Sequence, residues 1–139
     1  MLVDNNTLLS KIPNSLPPDT PVIMLNLLQW NEKATYTQDY ALPPCSGREA
    51  YMHRYIPAFS AIASKVGGFT VLYMGVPVSM LVGPEEDNNK WDIAALVKYP
   101  NIETFRRIVG SEEYATAALQ HRDAALKDWR LFVTTESEP

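Results

Sequence analysis

Apolar and polar positions follow two different rhythms along this chain, and each change of rhythm marks an element. In VIMLNLLQ, residues 22–29, nearly every position is apolar on both faces of a strand: Val22, Met24, Asn26 and Leu28 on one, Ile23, Leu25, Leu27 and Gln29 on the other. Such a strand is covered on both sides. Residues 31–45 are polar, end in Pro43-Pro44 and read as a long loop. Ser46 and Glu49 then have the spacing of a capping box, in which each side chain satisfies a free backbone N–H at a helix start. The spacing predicts a helix from Ser46 to about Val66, with Tyr51, Met52, Tyr55, Phe59, Ile62 and Val66 as its apolar stripe. Pro57 falls on the opposite face, where a mild outward kink is tolerable, and Gly67-Gly68 ends the helix.

The second half repeats the alternation. FTVLYMGV predicts a strand, PVSMLVGPEEDNN a short edge strand and a turn, and WDIAALVKY a further strand apolar on the whole of one face. Asn101 caps a short helix carrying Ile102, Phe105, Ile108 and Val109, and Gly110 breaks it. Ser111 caps the next helix, predicted to run to about Lys127, before a last strand RLFVTT and a solvated tail. Residues 1–20, with Pro13, Pro17 and Pro18, form an arm that is flexible or lies over the body; a single domain spans 21–136. The expected class is α+β, a ferredoxin-like β-α-β-β-α-β sandwich. Two helices cover one face of such a sheet, yet the strands are apolar on most of both. A second copy is the simplest cover for the other face, so the pattern predicts a homodimer through the sheet face.

Composition narrows the partners. The 139 residues are 46% hydrophobic and 20% charged, with a net charge of -4 and both signs interspersed, so no basic stripe invites nucleic acid. No apolar run approaches a membrane span, and the N-terminus lacks the pattern of a signal peptide. Cys45 stands alone, which excludes a disulfide framework and makes a cytoplasmic setting the expectation. His53 and His121 are the two histidines and have no metal-ligand spacing; no metal or cofactor is implied. There is no G-x-S-x-G elbow, and Gly67-Gly68 follows a helix instead of opening one, so it is no phosphate cradle.

Six residues are candidates for a ligand site. Asn26 interrupts an apolar strand face, where a buried amide must find partners. Trp30 closes the same strand, Tyr73 and Trp91 sit at strand ends, and His121 and Arg122 stand together in an alanine-rich helix. At 100° per residue Arg122 aligns with Ala115, Ala118, Leu119 and Leu126, so it is expected to be at least half buried and to make a charged hydrogen bond. Tyr99 lines the edge of the core or of a pocket, while His53 faces away from the apolar stripe.

MLNLLQW (24–30), SGREAYMHRY (46–55), GGFTVLYMG (67–75), LVGP (81–84), WDIAALVKYP (91–100) and SEEYATAALQHRDAAL (111–126) occur in this order. Together they resemble the domain of unknown function 1330 family, of the dimeric α/β-barrel superfamily, over residues 22–135. The resemblance implies a ferredoxin-like protomer paired with a second copy into a barrel-like dimer. The family's D-P-x-Y turn reads Ser111-Glu112-Glu113-Tyr114 here, so the tyrosine alone matches. The superfamily holds small apolar pockets, and some members act there without cofactors as oxygenases, isomerases or decarboxylases. Two functional readings follow: a cofactor-independent enzyme for a small apolar or anionic substrate, or a non-catalytic dimer that holds a ligand or none.

Overall fold

The computed structural model describes residues 4–37 and 42–138; residues 1–3 of the arm and 38–41 of the loop lie outside them. The chain is α+β. Four strands, β1 (Val22–Trp30), β2 (Thr70–Gly75), β3 (Ile93–Tyr99) and β4 (Leu126–Thr134), form one antiparallel sheet in the order β2-β3-β1-β4. Helices α1 (Asn5–Ser10), α2 (Gly47–Glu49), α3 (Ile56–Ala63), α4 (Ile102–Val109), α5 (Glu112–Ala117) and α6 (Leu119–Ala125) complete the fold. Among the described residues no helix is long and apolar enough to cross a membrane.

The local signals that start helices act as read. Ser46 Oγ accepts from the Glu49 N–H at 3.0 Å, and Glu49 accepts from the Ser46 N–H at 3.1 Å. Asn101 caps α4 through the Thr104 N–H at 2.8 Å, and Ser111 caps α5 through the Tyr114 N–H at 3.0 Å. Gly47 is where backbones cross: a Cβ there would lie 2.2 Å from the Asn31 carbonyl oxygen and 2.6 Å from that of Ala125. This contact pins the start of α2 to the junction of α6 and β4.

Three expectations need correction. The helix after Ser46 is not uniform. It widens to a π-helical stretch over Ala50–Tyr55, where the Ile56 N–H reaches the Tyr51 carbonyl five residues back. Pro57 lacks an N–H and its ring crowds the carbonyl four residues earlier, so the chain accommodates it by widening instead of by a simple kink. Residues 76–82 form no strand: Pro77 removes a ladder donor, and the segment runs irregularly to a 3-10 turn at Glu85–Asp87. The helix after Ser111 breaks at Ala118 (φ -118°), and β4 begins at Leu126, four residues before the predicted start at Arg130. Of the two readings of the arm, the described residues follow the one in which it lies over the body. Ile12 is buried, Leu8, Leu9 and Leu16 pack on the core, Asn5 donates to the Val109 carbonyl, and Arg106 donates to the Pro13 carbonyl.

Cross-strand register shows how the two faces of the sheet differ. On the side carrying the helices, one row reads Met74, Ala95, Asn26, Leu131. On the opposite side the neighbouring row reads Tyr73, Leu96, Leu25, Phe132, and among the described residues no helix covers it. The β2 register shifts between Val71 and Tyr73, so that Leu72 is the extra residue of a bulge. That shift turns Tyr73 to the open side and Met74 to the covered one.

Candidate functional site

Small side chains in the middle of the covered row leave the helices nothing to rest on. Ala95 and Asn26 pair across β3 and β1, and above them lies a cavity of about 70 Å3. Tyr51, Tyr55, Ile56 and Phe59 roof it, Trp129 and Leu131 wall it from β4, and Tyr99, Phe105 and Val109 close one end. Val71 and Met74, both exposed, form its rim along β2. The π-helical stretch sets the roof: it stacks Tyr51 on Tyr55 with ring centroids 4.9 Å apart, and Tyr55 on Phe59 at 5.7 Å. Widened turns of this kind occur disproportionately at functional sites.

The lining is apolar apart from a few polar groups. Asn26 is 9% exposed; its Oδ1 accepts from Trp129 Nε1 at 3.1 Å, while its Nδ2 reaches the Met24 carbonyl at 3.4 Å, a weak bond. Tyr51 and Tyr99, 8% and 4% exposed, bring phenol rings to the same lining. Burial pushes both phenols well above their ordinary pKa, so they keep their protons at any physiological pH. Tyr55 is bonded instead to Tyr114, oxygen to oxygen at 2.8 Å.

Behind this wall lies Arg122, 2% exposed. Nη1 donates to Tyr114 Oη at 3.1 Å and to Asn5 Oδ1 at 3.1 Å; Nε and Nη2 donate to Asp123 Oδ1 at 3.3 and 3.2 Å. Its guanidinium carbon lies 5.3 Å from the Trp129 ring centre, a cation–π distance. The expected burial and charged hydrogen bond are both present, and Asp123 is the carboxylate. Arg122 does not line the cavity; it holds Tyr114 and Trp129, which hold Tyr55 and Asn26.

The six sequence candidates therefore fall in different places. Asn26 lines the cavity and Arg122 supports it. Trp30 packs on the core and against Tyr51 at 5.2 Å without reaching the cavity. Tyr73, 59% exposed, is carried to the open face by the Leu72 bulge. Trp91 sits between Lys90 and Arg130, at 4.9 and 5.2 Å, beside a separate groove of about 180 Å3 under residues 77–80. His121 belongs to another cluster: its Nδ1 shares a 2.7 Å hydrogen bond with the Tyr36 hydroxyl, and Arg54 lies over the Tyr36 ring at 5.4 Å. Partial burial lowers the His121 pKa, and the Arg54 charge lowers it further. Sequence reasoning placed Tyr51 and Tyr55 on the buried stripe but not in a cavity; the small size of Ala95 opposite them was the available signal. Among the described residues no group of three or more His, Cys, Asp or Glu side chains could hold a metal ion.

Solved structures of one protein share this architecture. RPA0582, a protein of unknown function from Rhodopseudomonas palustris, matches with a TM-score of 0.81 at 25% identity, over 99% of this chain and 98% of that one. Its methylated form matches with a TM-score of 0.76 at 25% identity, over 100% and 96%. No family model matches the chain, and no curated protein does.

Proposed function

We propose that this protein binds a small molecule in the cavity between the sheet and α2–α3, as a homodimer of ferredoxin-like protomers. The observation that carries the reading is a cavity floored by Ala95 and Asn26, roofed by Tyr51, Tyr55 and Phe59 and lined almost wholly by apolar and aromatic side chains. A concave, mostly apolar site with a few polar groups in its lining is the usual form of a ligand pocket. Binding is favoured over catalysis by the same lining. Oxygenase, isomerase or decarboxylase chemistry needs an acid or base tuned near neutral pH beside the substrate. The residues around the cavity supply phenols whose pKa burial raises, away from neutral pH.

The ferredoxin-like reading is supported by the antiparallel order β2-β3-β1-β4, which a β-α-β-β-α-β chain adopts when its helical connections share one face. Pairing of two copies, as the resemblance to the domain of unknown function 1330 family implies, is supported by the open row of Tyr73, Leu96, Leu25 and Phe132. It is supported too by residues 76–82, where Leu81 and Val82 are 91% and 93% exposed. Apolar surface of that extent is uncommon on a monomer.

Filling the cavity tests the ligand reading. Ala95→Leu should keep the fold, at a cost of about 1–3 kcal/mol for overpacking, and should abolish binding of any small probe that wild type holds. Unchanged binding in a folded Ala95→Leu protein would place the ligand elsewhere.

A further inference from the structure

We infer that residues 76–82 of one copy lie as an added strand along the outer edge of β4 in a second copy. The inference rests on the homodimer reading above and names the segment that joins the two copies.

The backbone of β1 fixes which groups of β4 face outward. The Leu28 carbonyl accepts from the Asp92 N–H at 2.8 Å, so even-numbered residues of β1 turn their backbone to β3 and odd-numbered ones to β4. The β4 partners of those odd-numbered residues are Asp128, Arg130, Phe132 and Thr134. Trp129, Leu131 and Val133 therefore turn their N–H and C=O away from β1, and among the described residues no strand lies beyond them. Trp129 is stopped by its own neighbours: its N–H donates to Asp128 Oδ1 at 2.8 Å, and its carbonyl accepts from Arg130 Nη1 at 3.0 Å. Leu131 and Val133 carry no such stop among the described residues, and an open edge of this kind is a template for another strand. A groove of about 350 Å3 adjoins it, between β4 and the arm, with Leu8, Ile12, Leu131 and Val133 in its walls. Lys11 and Arg130 line it too, and no carboxylate does.

The same chain carries a segment with the complementary shape and charge. Val76, Val78, Met80 and Val82 alternate along residues 76–82, which pair with no strand, and Val78 and Val82 are 91% and 93% exposed. In an antiparallel pair, residues that exchange hydrogen bonds have their side chains on one face of the sheet. With Val78 and Met80 bonded to Val133 and Leu131, their side chains enter the groove beside Leu8 and Ile12. Leu81 then falls on the other face, beside the exposed Phe132. In this alternation Pro77 turns away from β4, so its missing N–H costs no bond. The antiparallel direction also carries the acidic turn Glu85–Asp87 toward the end of β4 where Lys127 and Arg130 are exposed. Charge and apolar pattern thus agree on one register, and a second copy supplies both.

Amide hydrogen exchange and sedimentation of the full chain test this together. In the wild-type dimer the Leu131 and Val133 amides should exchange at least about a hundredfold more slowly than in an unstructured chain. The double variant Val78→Asp/Val82→Asp changes two positions exposed in the single chain, so circular dichroism should show an unchanged fold. It should weaken the dimer by at least about a hundredfold and return both amides to fast exchange. Three results overturn the inference and leave the homodimer reading standing. They are a wild-type dimer in which the two amides exchange freely, a double variant in which they stay slow, and a double variant that pairs as tightly as wild type. Slow amides in the variant would assign the edge to a different strand, such as a foreign peptide. If wild type sediments as a monomer, both readings fall.

Discussion

The two faces of the sheet look alike in sequence and differ in what they do with their apolar residues. Across the covered face the central row is Met74, Ala95, Asn26, Leu131; across the open face it is Tyr73, Leu96, Leu25, Phe132. The covered row is small at its centre, so aromatic side chains from the helices arch over a hollow instead of filling it. The open row is large throughout and offers a continuous surface with charges, Lys98 and Arg130, kept to the flanking rows. One face encloses a hollow and the other presents a row of large apolar side chains. The difference teaches that side-chain size within a row matters as much as polarity, since both rows count as apolar in any hydrophobic pattern.

The largest expected effect is on the support behind the covered face. Arg122→Met removes a buried charge and leaves Tyr114, Asn5 and Asp123 without their donor, so urea unfolding should show a loss of about 3–5 kcal/mol. A variant that stays as stable as wild type but loses ligand binding would move Arg122 from scaffold to site and blur the distinction between wall and lining. Next is the open face. Leu25→Lys sits at the centre of that row, and light scattering should report a monomer, with about 2–3 kcal/mol of association lost per substituted chain. In a wild-type monomer the same change would be nearly silent, and the open face would then need another explanation. Smaller again is the arm. Deleting residues 1–15 uncovers the surface under Ile12 and removes the Asn5 bonds to Val109 and Arg122, so a thermal melt should show about 2 kcal/mol lost. No change would mean that the arm merely lies on α4.

What was legible in the sequence is what is decided locally. The Ser46–Glu49 box and the Asn101 and Ser111 caps each involve residues three apart, and all three form as read. The burial of Arg122 was legible as well, because the break at Ala118 lies upstream of the last helical turn that carries it. Tyr73 was misplaced for a non-local reason: the Leu72 bulge shifts β2 against β3 by one residue, and a one-residue shift moves every later side chain to the other face. Trp30 and Trp91 were grouped with Asn26 because aromatic residues at strand ends are equally suited to packing, and only the tertiary arrangement separates them. The cavity was missed because it arises from Ala95 and Tyr51, 44 residues apart in the chain, meeting across two layers.

The most direct test of the account is a methyl-detected NMR titration of the wild-type protein with xenon, which enters apolar cavities. The account predicts that the methyls of Met24, Leu28 and Val97, which line the cavity, shift and saturate together while those of Leu25, Leu27 and Leu96 on the open face stay in place. Shifts confined to the open-face methyls, with the covered-face methyls unmoved, would contradict it.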